Sequence, residues 1–197
     1  MRKKIISKAC ELFIRLGFNS VTMDDLASEL CISKKTLYKF FSNKEVLVQE
    51  ATYILEKQFY DKINQVMSLN YNSVEEHFEI RRLFKGLVKT VGALPLYQLK
   101  KKYPDIYKYV ISSEHKMFNL FMRRNLARGI EQGYYRSDVE IEEYISFYYT
   151  IRFHINENVI DTIQVDRLEL SALVYHIQAI STEKGRNELN RQLSINA

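Results

Sequence analysis

Tryptophan is absent from this chain, and proline (2), cysteine (2) and glycine (6) are scarce among its 197 residues. With so little proline and glycine there is no punctuation for the many tight turns of a sandwich or barrel, and long helices are expected instead. Two cysteines, Cys10 and Cys31, do not make a disulfide framework and read as reduced thiols of a cytoplasmic protein. No apolar run approaches the roughly 18 residues that span a bilayer, which argues against a membrane partner. The opening MRKKIISKACELF goes straight into an amphipathic pattern, so no signal peptide is expected. His77, His115, His154 and His176 are scattered without metal-ligand spacing, and no glycine-rich loop follows a strand pattern. No Ser/His or Cys/His arrangement can be argued from spacing. The sequence therefore predicts no cofactor, no metal site and no enzyme.

Hydrophobic residues make up 46% of the chain, enough for a core. The net charge of +5 permits a nucleic-acid partner without requiring one, and its distribution says more. Residues 1–50 hold nine Lys/Arg against six Asp/Glu, whereas the rest is nearly balanced at twenty against eighteen. Between Ser33 and Lys44 there are four lysines and no acid.

That basic stretch closes the segment TMDDLASELCISKKTLYKFFSNK, Thr22 to Lys44. Thr22 is placed to cap a helix, with Asp25 three residues on in a box-like arrangement and Asp24 and Asp25 at the positive end of the helix dipole. Met23, Leu26, Ala27 and Leu30 give that helix an apolar stripe. Ser33 is placed to cap a second helix from Lys34 to Phe41, held to the protein by Leu37 and Phe41 on one face. Its other surface carries Lys34, Lys35, Thr36, Tyr38 and Lys39. Two short helices joined by so few residues must cross steeply, as in a helix-turn-helix, and a helix so divided suits a major groove.

The string VTMDDLASELCISKKTLYKFFSNKEVLV resembles the N-terminal DNA-binding domain of the Tet repressor (TetR) family of bacterial transcription regulators, and the resemblance covers roughly residues 1 to 50. It implies that Lys34 to Phe41 is the recognition helix. It also implies that Thr22, Tyr38 and Lys44 contact phosphate, with Ser33, Lys34, Lys35, Thr36 and Lys39 completing the DNA-facing set. Two departures stand out. The family commonly has glycine where this chain has Cys31, and a positive φ there would strain a cysteine. It often has a small residue at Lys35.

The remaining pattern predicts a first helix from Lys3 to Leu16 stopped by Gly17. Further helices are predicted over Lys44–Met67, from Val74 to about Gly92, and over Pro95–Lys102, Asp105–Gln132, Ile141–Val159 and Asp166–Glu183. The tail from Gly185 is polar and is expected to fray, and no strand is found. Glu75 and Glu76 read as a solvated helix start. The fold expected is all-α, with about nine helices. A three-helix helix-turn-helix domain (residues 1–45) precedes a larger helical bundle for effector binding and dimerisation (residues 46–197).

By the family resemblance, a small-molecule effector would sit among the middle helices, with Tyr97, Tyr107, Phe118, Phe121 and Tyr148 as lining candidates and Arg152 to orient a polar group. Packing is the competing explanation for every one of those rings. The apolar excess of Ile141–Val159 and Leu168–Ile180 suggests a two-fold homodimer reading paired half-sites of operator duplex DNA. The alternative is a helical DNA-binding regulator with no small-molecule effector, acting constitutively or through a protein partner.

Overall fold

The computed structural model describes residues 1–91, 94–158 and 161–195. Ten helices occupy them, nine of seven residues or more. They are α1 (Arg2–Ser20), α2 (Met23–Glu29), α3 (Lys34–Tyr38), α4 (Lys44–Ser68), α5 (Ser73–Val91), α6 (Leu94–Lys102), α7 (Pro104–Glu131), α8 (Ile141–Asn158), α9 (Thr162–Ile180) and α10 (Glu183–Ile195). The all-α expectation holds. The only extended pairing among the described residues is an isolated bridge between Tyr135 and Ser181. The helix ends expected at Gly92 and Val159 lie outside the described residues.

By packing, the chain divides into two compact units, Met1–Asp61 with Leu87–Ser113, and Lys62–Gly86 with Glu114–Ala197. The core of the first unit is built by α1 (Ile5, Ala9, Leu12, Phe13), α2 (Leu26, Ala27), Leu37 and Phe41, α4 (Leu47, Val48, Ala51) and, from far along the chain, Leu99 and Ile106. The helical periodicity of these residues is the cause: each supplies one apolar stripe, and the stripes meet. α1 breaks where the sequence put its stop. Gly17 takes φ +78°, and a side chain there would collide with the Gln98 amide, 2.8 Å from the added carbon.

The second unit holds α8 against α9, with α10 packed on α9. Three expectations are corrected here. Residues 185–195 do not fray. They form α10, which buries Gly185, Leu189 and Gln192, and Lys184 Nζ donates to the Gln132 carbonyl at 2.8 Å. α9 starts at Thr162, not Asp166, because Asp161 caps it by accepting from Ile163 N at 2.9 Å, and it ends at Ile180. Glu76 is not a solvated helix start but is fully buried. It accepts from Asn125 Nδ2 at 2.7 Å and Arg128 Nη2 at 2.9 Å. The Tyr135 hydroxyl closes this polar knot, 3.1 Å from the Ser73 carbonyl and 3.2 Å from Asn125 Oδ1. Its ring lies so close to Gly129 that any side chain there would overlap it.

Candidate nucleic-acid interface

The helix-turn-helix is fixed by its own short-range bonds. Thr22 Oγ1 accepts from Asp25 N at 3.1 Å, and Thr22 N donates to Asp25 Oδ2 at 2.8 Å, a complete capping box. The Thr22 hydroxyl also donates to Asp25 at 2.7 Å. These bonds from Thr22 hold the Asp25 carboxyl below its usual range. Between the two helices Cys31 adopts φ +53°, the left-handed region, and is exposed. The strain expected of a non-glycine residue at this position is therefore present. Cys31 N donates to Ser28 O and Ile32 N to Ala27 O, which turns the chain within three residues.

Ser33 caps α3, accepting from Thr36 N at 3.0 Å, and its oxygen lies 2.8 Å from that of Thr36. α3 itself ends at Tyr38, shorter than expected, but Phe41 N still donates to Leu37 O at 3.2 Å, so the turn continues to the second anchor. Leu37 and Phe41 are both buried, and Lys34, Lys35, Tyr38 and Lys39 are exposed. The division between an anchored and an open face is thus as the sequence predicts. Lys34 reaches Asp24 at 2.8 Å, but both side chains are more than half exposed. Such a surface pair is weak, and Lys34 can exchange Asp24 for a phosphate at little cost.

Lys44 opens α4, whose first turn is capped by Asn43 Oδ1 accepting from Val46 N at 2.9 Å. Lys44 is half-buried. Burial lowers its pKa, the neighbouring charge of Lys102 lowers it further, and Asp25 opposes both. Neither Asn43 nor Lys102 was singled out by sequence. An Asn just before a helical pattern was a usable signal, whereas nothing in the chain placed Lys102 near Lys44. At the N-terminus Arg2 pairs with Glu50 and lies 5.0 Å over the Phe41 ring, which ties the start of α1 to the back of α3.

The effector candidates fall in separate places. Tyr97 and Tyr107 belong to the first unit. Tyr97 is well exposed, and Lys101 and Lys100 stand over the rings of Tyr97 and Tyr107. Phe118, Phe121, Tyr148 and Arg152 belong to the second unit and share one cluster. Phe118 meets Tyr148 at 5.8 Å, and Arg152 stands over Phe118 at 5.4 Å while pairing with Glu169 at 3.0 Å. Arg152 is therefore already neutralised. Sequence reasoning missed two members, His77 and His176, whose rings meet at 5.8 Å. Tyr148 stacks on His176 at 4.4 Å, and Phe121 meets His77 edge-on at 5.3 Å. Both Nε2 atoms are buried without a hydrogen-bond partner. Burial drives both imidazole pKa values down, that of His176 to about 3. Among the described residues no group of three His, Cys, Asp or Glu could hold a metal, and no helix is long and apolar enough to cross a membrane.

Residues 5–51 match the sequence model of the bacterial regulatory proteins of the tetR family. Those residues are a TetR-family DNA-binding domain. The chain is a DNA-binding transcriptional regulator. A curated relative is the biofilm operon icaADBC HTH-type negative transcriptional regulator IcaR of Staphylococcus aureus, 22% identical over 147 residues, 72% of this chain and 73% of IcaR. The fold is also that of a transcriptional regulator from Cytophaga hutchinsonii, with a TM-score of 0.79 at 17% identity, covering 91% of this chain and 98% of that one. A transcriptional regulator from Saccharomonospora viridis in complex with choline superimposes with a TM-score of 0.71 at 18% identity, over 92% and 98% of the two chains. The TetR-type helix-turn-helix is the arrangement of α1 to α3 and the start of α4 described above.

Proposed function

We propose that this chain is a cytoplasmic TetR-family repressor that binds operator DNA as a homodimer and is released by a small molecule. Residues 1–45 are the DNA-binding domain and residues 46–197 the effector-binding and dimerisation domain. The observation that carries the reading is α3, anchored by buried Leu37 and Phe41 with Lys35, Thr36, Tyr38 and Lys39 on its open side. Lys35 and Thr36 are assigned to base edges, with Lys34 and Lys39 at bases or phosphates. Thr22, Tyr38 and Lys44 hold the backbone, while Ser33 presents α3 by capping it. The negative role of IcaR supports repression.

Dimerisation is supported by the large side chains that α8 and α9 leave in the open, among them Phe147 and Tyr175, each at least 60% exposed. Paired across a two-fold axis these faces would bury each other and set two copies of α3 on one duplex. The effector is supported by the cluster of Phe118, Phe121, Tyr148 and Arg152. It has an apolar shell with the unpartnered imidazole nitrogens of His77 and His176 inside it, the pattern of a ligand site. The choline-bound neighbour shows the fold carrying a small molecule. α4 is one continuous helix from Lys44 to Ser68, so a change at its far end is passed to the residues that open it. A ligand that favours one arrangement shifts the population away from the DNA-binding one. The second reading, a regulator without a small-molecule effector, is favoured by the direct ring-to-ring contacts of that same cluster.

The test is selection of bound sequences from random duplex DNA at two salt concentrations. An inverted repeat that survives the higher salt is expected. Binding without sequence preference, lost steeply with salt, would sink the operator reading. On the selected site Tyr38→Phe and Lys44→Gln should weaken every sequence alike, whereas Lys35→Ala and Thr36→Ala should change which base is preferred.

A further inference from the structure

Gly17 breaks α1 with φ +78° and ψ 161°, and the residues beyond it lead into the Thr22 cap of α2. On the inner side of this corner Phe18 and Val21 are buried in the core of the first unit. Asn19 and Ser20 are exposed, so the core does not hold the outer side. The outer side is held by α6, which belongs to the same compact unit. Asn19 N donates to Gln98 Oε1 at 3.0 Å, across 79 residues of sequence. Gln98 is 6% exposed and lies so close to Gly17 that a carbon added there would stand 2.8 Å from Oε1 and 2.9 Å from Nε2. Glycine serves twice at position 17: it takes a left-handed φ at no steric cost, and it leaves the space that the amide fills. The amide is itself held in place. Leu99 is buried in the core shared with α1, α2 and α4. Tyr103 N donates to Leu99 O at 2.8 Å and Tyr107 N to Tyr103 O at 2.9 Å, and both tyrosines pack on that core. A buried glutamine gives up rotamer freedom and hydration, and its bond to Asn19 offsets part of that cost.

We infer that Gln98 is a positioning residue for sequence recognition: by fixing the corner between α1 and α2 from outside, it holds α2, and α3 behind it, in the arrangement that matches base edges. The path from the corner to α3 is short. Thr22 and Asp25 close the capping box that starts α2. Cys31 N donates to Ser28 O and Ile32 N to Ala27 O, which leaves the turn little slack, and Ser33 then caps α3. A tilt of the corner is therefore a tilt of α3. With the bond to Gln98 the corner has one place. Without it the corner populates several, only a fraction of which suit the bases, and the apparent affinity falls by that fraction. Hydrogen bonds to base edges need close alignment, whereas attraction to the phosphate backbone tolerates a shift of the helix. The loss falls on sequence discrimination and spares sequence-independent binding. Gln98 acts through Asn19 and touches no DNA itself. The inference rests on the operator reading of α3 given above. Its consequence is that docking of α6 is a condition of specific binding.

The test uses the full chain and two fluorescein-labelled duplexes of equal length, the inverted repeat recovered by selection and a random sequence, with binding followed by polarisation. The readout is the ratio of the two affinities. Gln98→Met keeps the reach of the side chain and removes the accepting oxygen. It should lower the ratio about three- to tenfold, the weight of one hydrogen bond, and leave affinity for the random duplex within about twofold. Gln98→Glu keeps an accepting oxygen and should restore most of the ratio. Amide hydrogen exchange should show Asn19 less protected in Gln98→Met and protected again in Gln98→Glu. An unchanged ratio in Gln98→Met overturns the inference, whether or not Asn19 loses protection. An equal loss on both duplexes overturns it as well, because it marks general destabilisation. A ratio as low in Gln98→Glu as in Gln98→Met assigns the loss to packing, with the same result. If selection yields no sequence that the wild type prefers to the random duplex, the operator reading itself fails and takes the inference with it. Far-UV circular dichroism checks the fold of each variant. Should Gln98→Met not fold, Gln98→Asn, which withdraws the oxygen by one methylene, takes its place in the same comparison.

Discussion

Acidification should destabilise this protein well before its carboxylates titrate, and the cause is the pair His77 and His176. Both are buried, with 4% exposure each, and both Nε2 atoms lack a partner. Burial is the first cause of both depressed pKa values. At His77 the positive charge that His176 would carry adds to it, and Arg152 and Arg128 add less. An imidazole with a depressed folded pKa takes up its proton only in the unfolded chain, where the ordinary value is about 6.5. Stability is therefore complete above about pH 6.5 and falls as the pH drops toward the folded value. For His176 that folded value is about 3, so the whole interval from 6.5 downward is active. One unit below the unfolded value each such histidine costs about 1.4 kcal/mol, so the two together cost about 3 kcal/mol near pH 5.5. Against a typical stability of roughly 5–15 kcal/mol this is large. With no tryptophan to follow, the assay is urea unfolding by far-UV circular dichroism. It should be run at about pH 7.5 and about pH 5.5 and at one protein concentration, since dimerisation would otherwise contribute. His77→Gln with His176→Gln removes both titrating groups and should abolish most of the difference. An equal loss in wild type and double variant would show that these histidines ionise freely in the folded protein, and the reasoning would be wrong.

Glu76→Ala should cost about 3 kcal/mol, the low end for breaking a buried pair, because Arg128 keeps some solvent contact; a urea midpoint implying under about 1 kcal/mol would contradict this. Cys31→Gly relieves a left-handed non-glycine residue whose side chain is exposed, and should raise stability by up to about 1 kcal/mol without altering DNA affinity; a loss of stability would mean that Cys31 makes a contact worth more than its strain. Phe147→Glu combined with Tyr175→Glu should leave a folded monomer by sedimentation, and an unchanged dimer would place the interface elsewhere.

What was legible at the DNA-facing end was legible because its determinants are a few residues apart. Thr22 with Asp25, Ser33 with Thr36 and Leu37 with Phe41 are all spaced at one helical turn, so the chain itself displays both partners. The left-handed conformation of Cys31 agrees with the glycine that the resembled family commonly has at this position. The C-terminal unit was less readable. Glu75 and Glu76 are neighbours in sequence, yet Glu75 is half-buried and pairs with Arg191 of α10, while Glu76 is sealed against Asn125 and Arg128 of α7. Nothing in the acidic pair itself tells which residue will be covered. α10 was missed for a related reason. Its composition is polar, and what makes it a helix in place is docking through Leu189 and Gln192.

The sequence by itself determined that the chain is helical, where most helices begin, and which face of the Lys34–Phe41 turn is exposed. Those properties depend on backbone hydrogen bonding, capping and apolar periodicity within a turn or two. The tertiary structure decided that Glu76 is buried against Asn125 and Arg128, and that His77 and His176 are enclosed in a shell of rings. Charge and desolvation depend on what is packed against a group, and here the packing partners come from distant parts of the chain. Asn125 and Glu76, for example, are 49 residues apart.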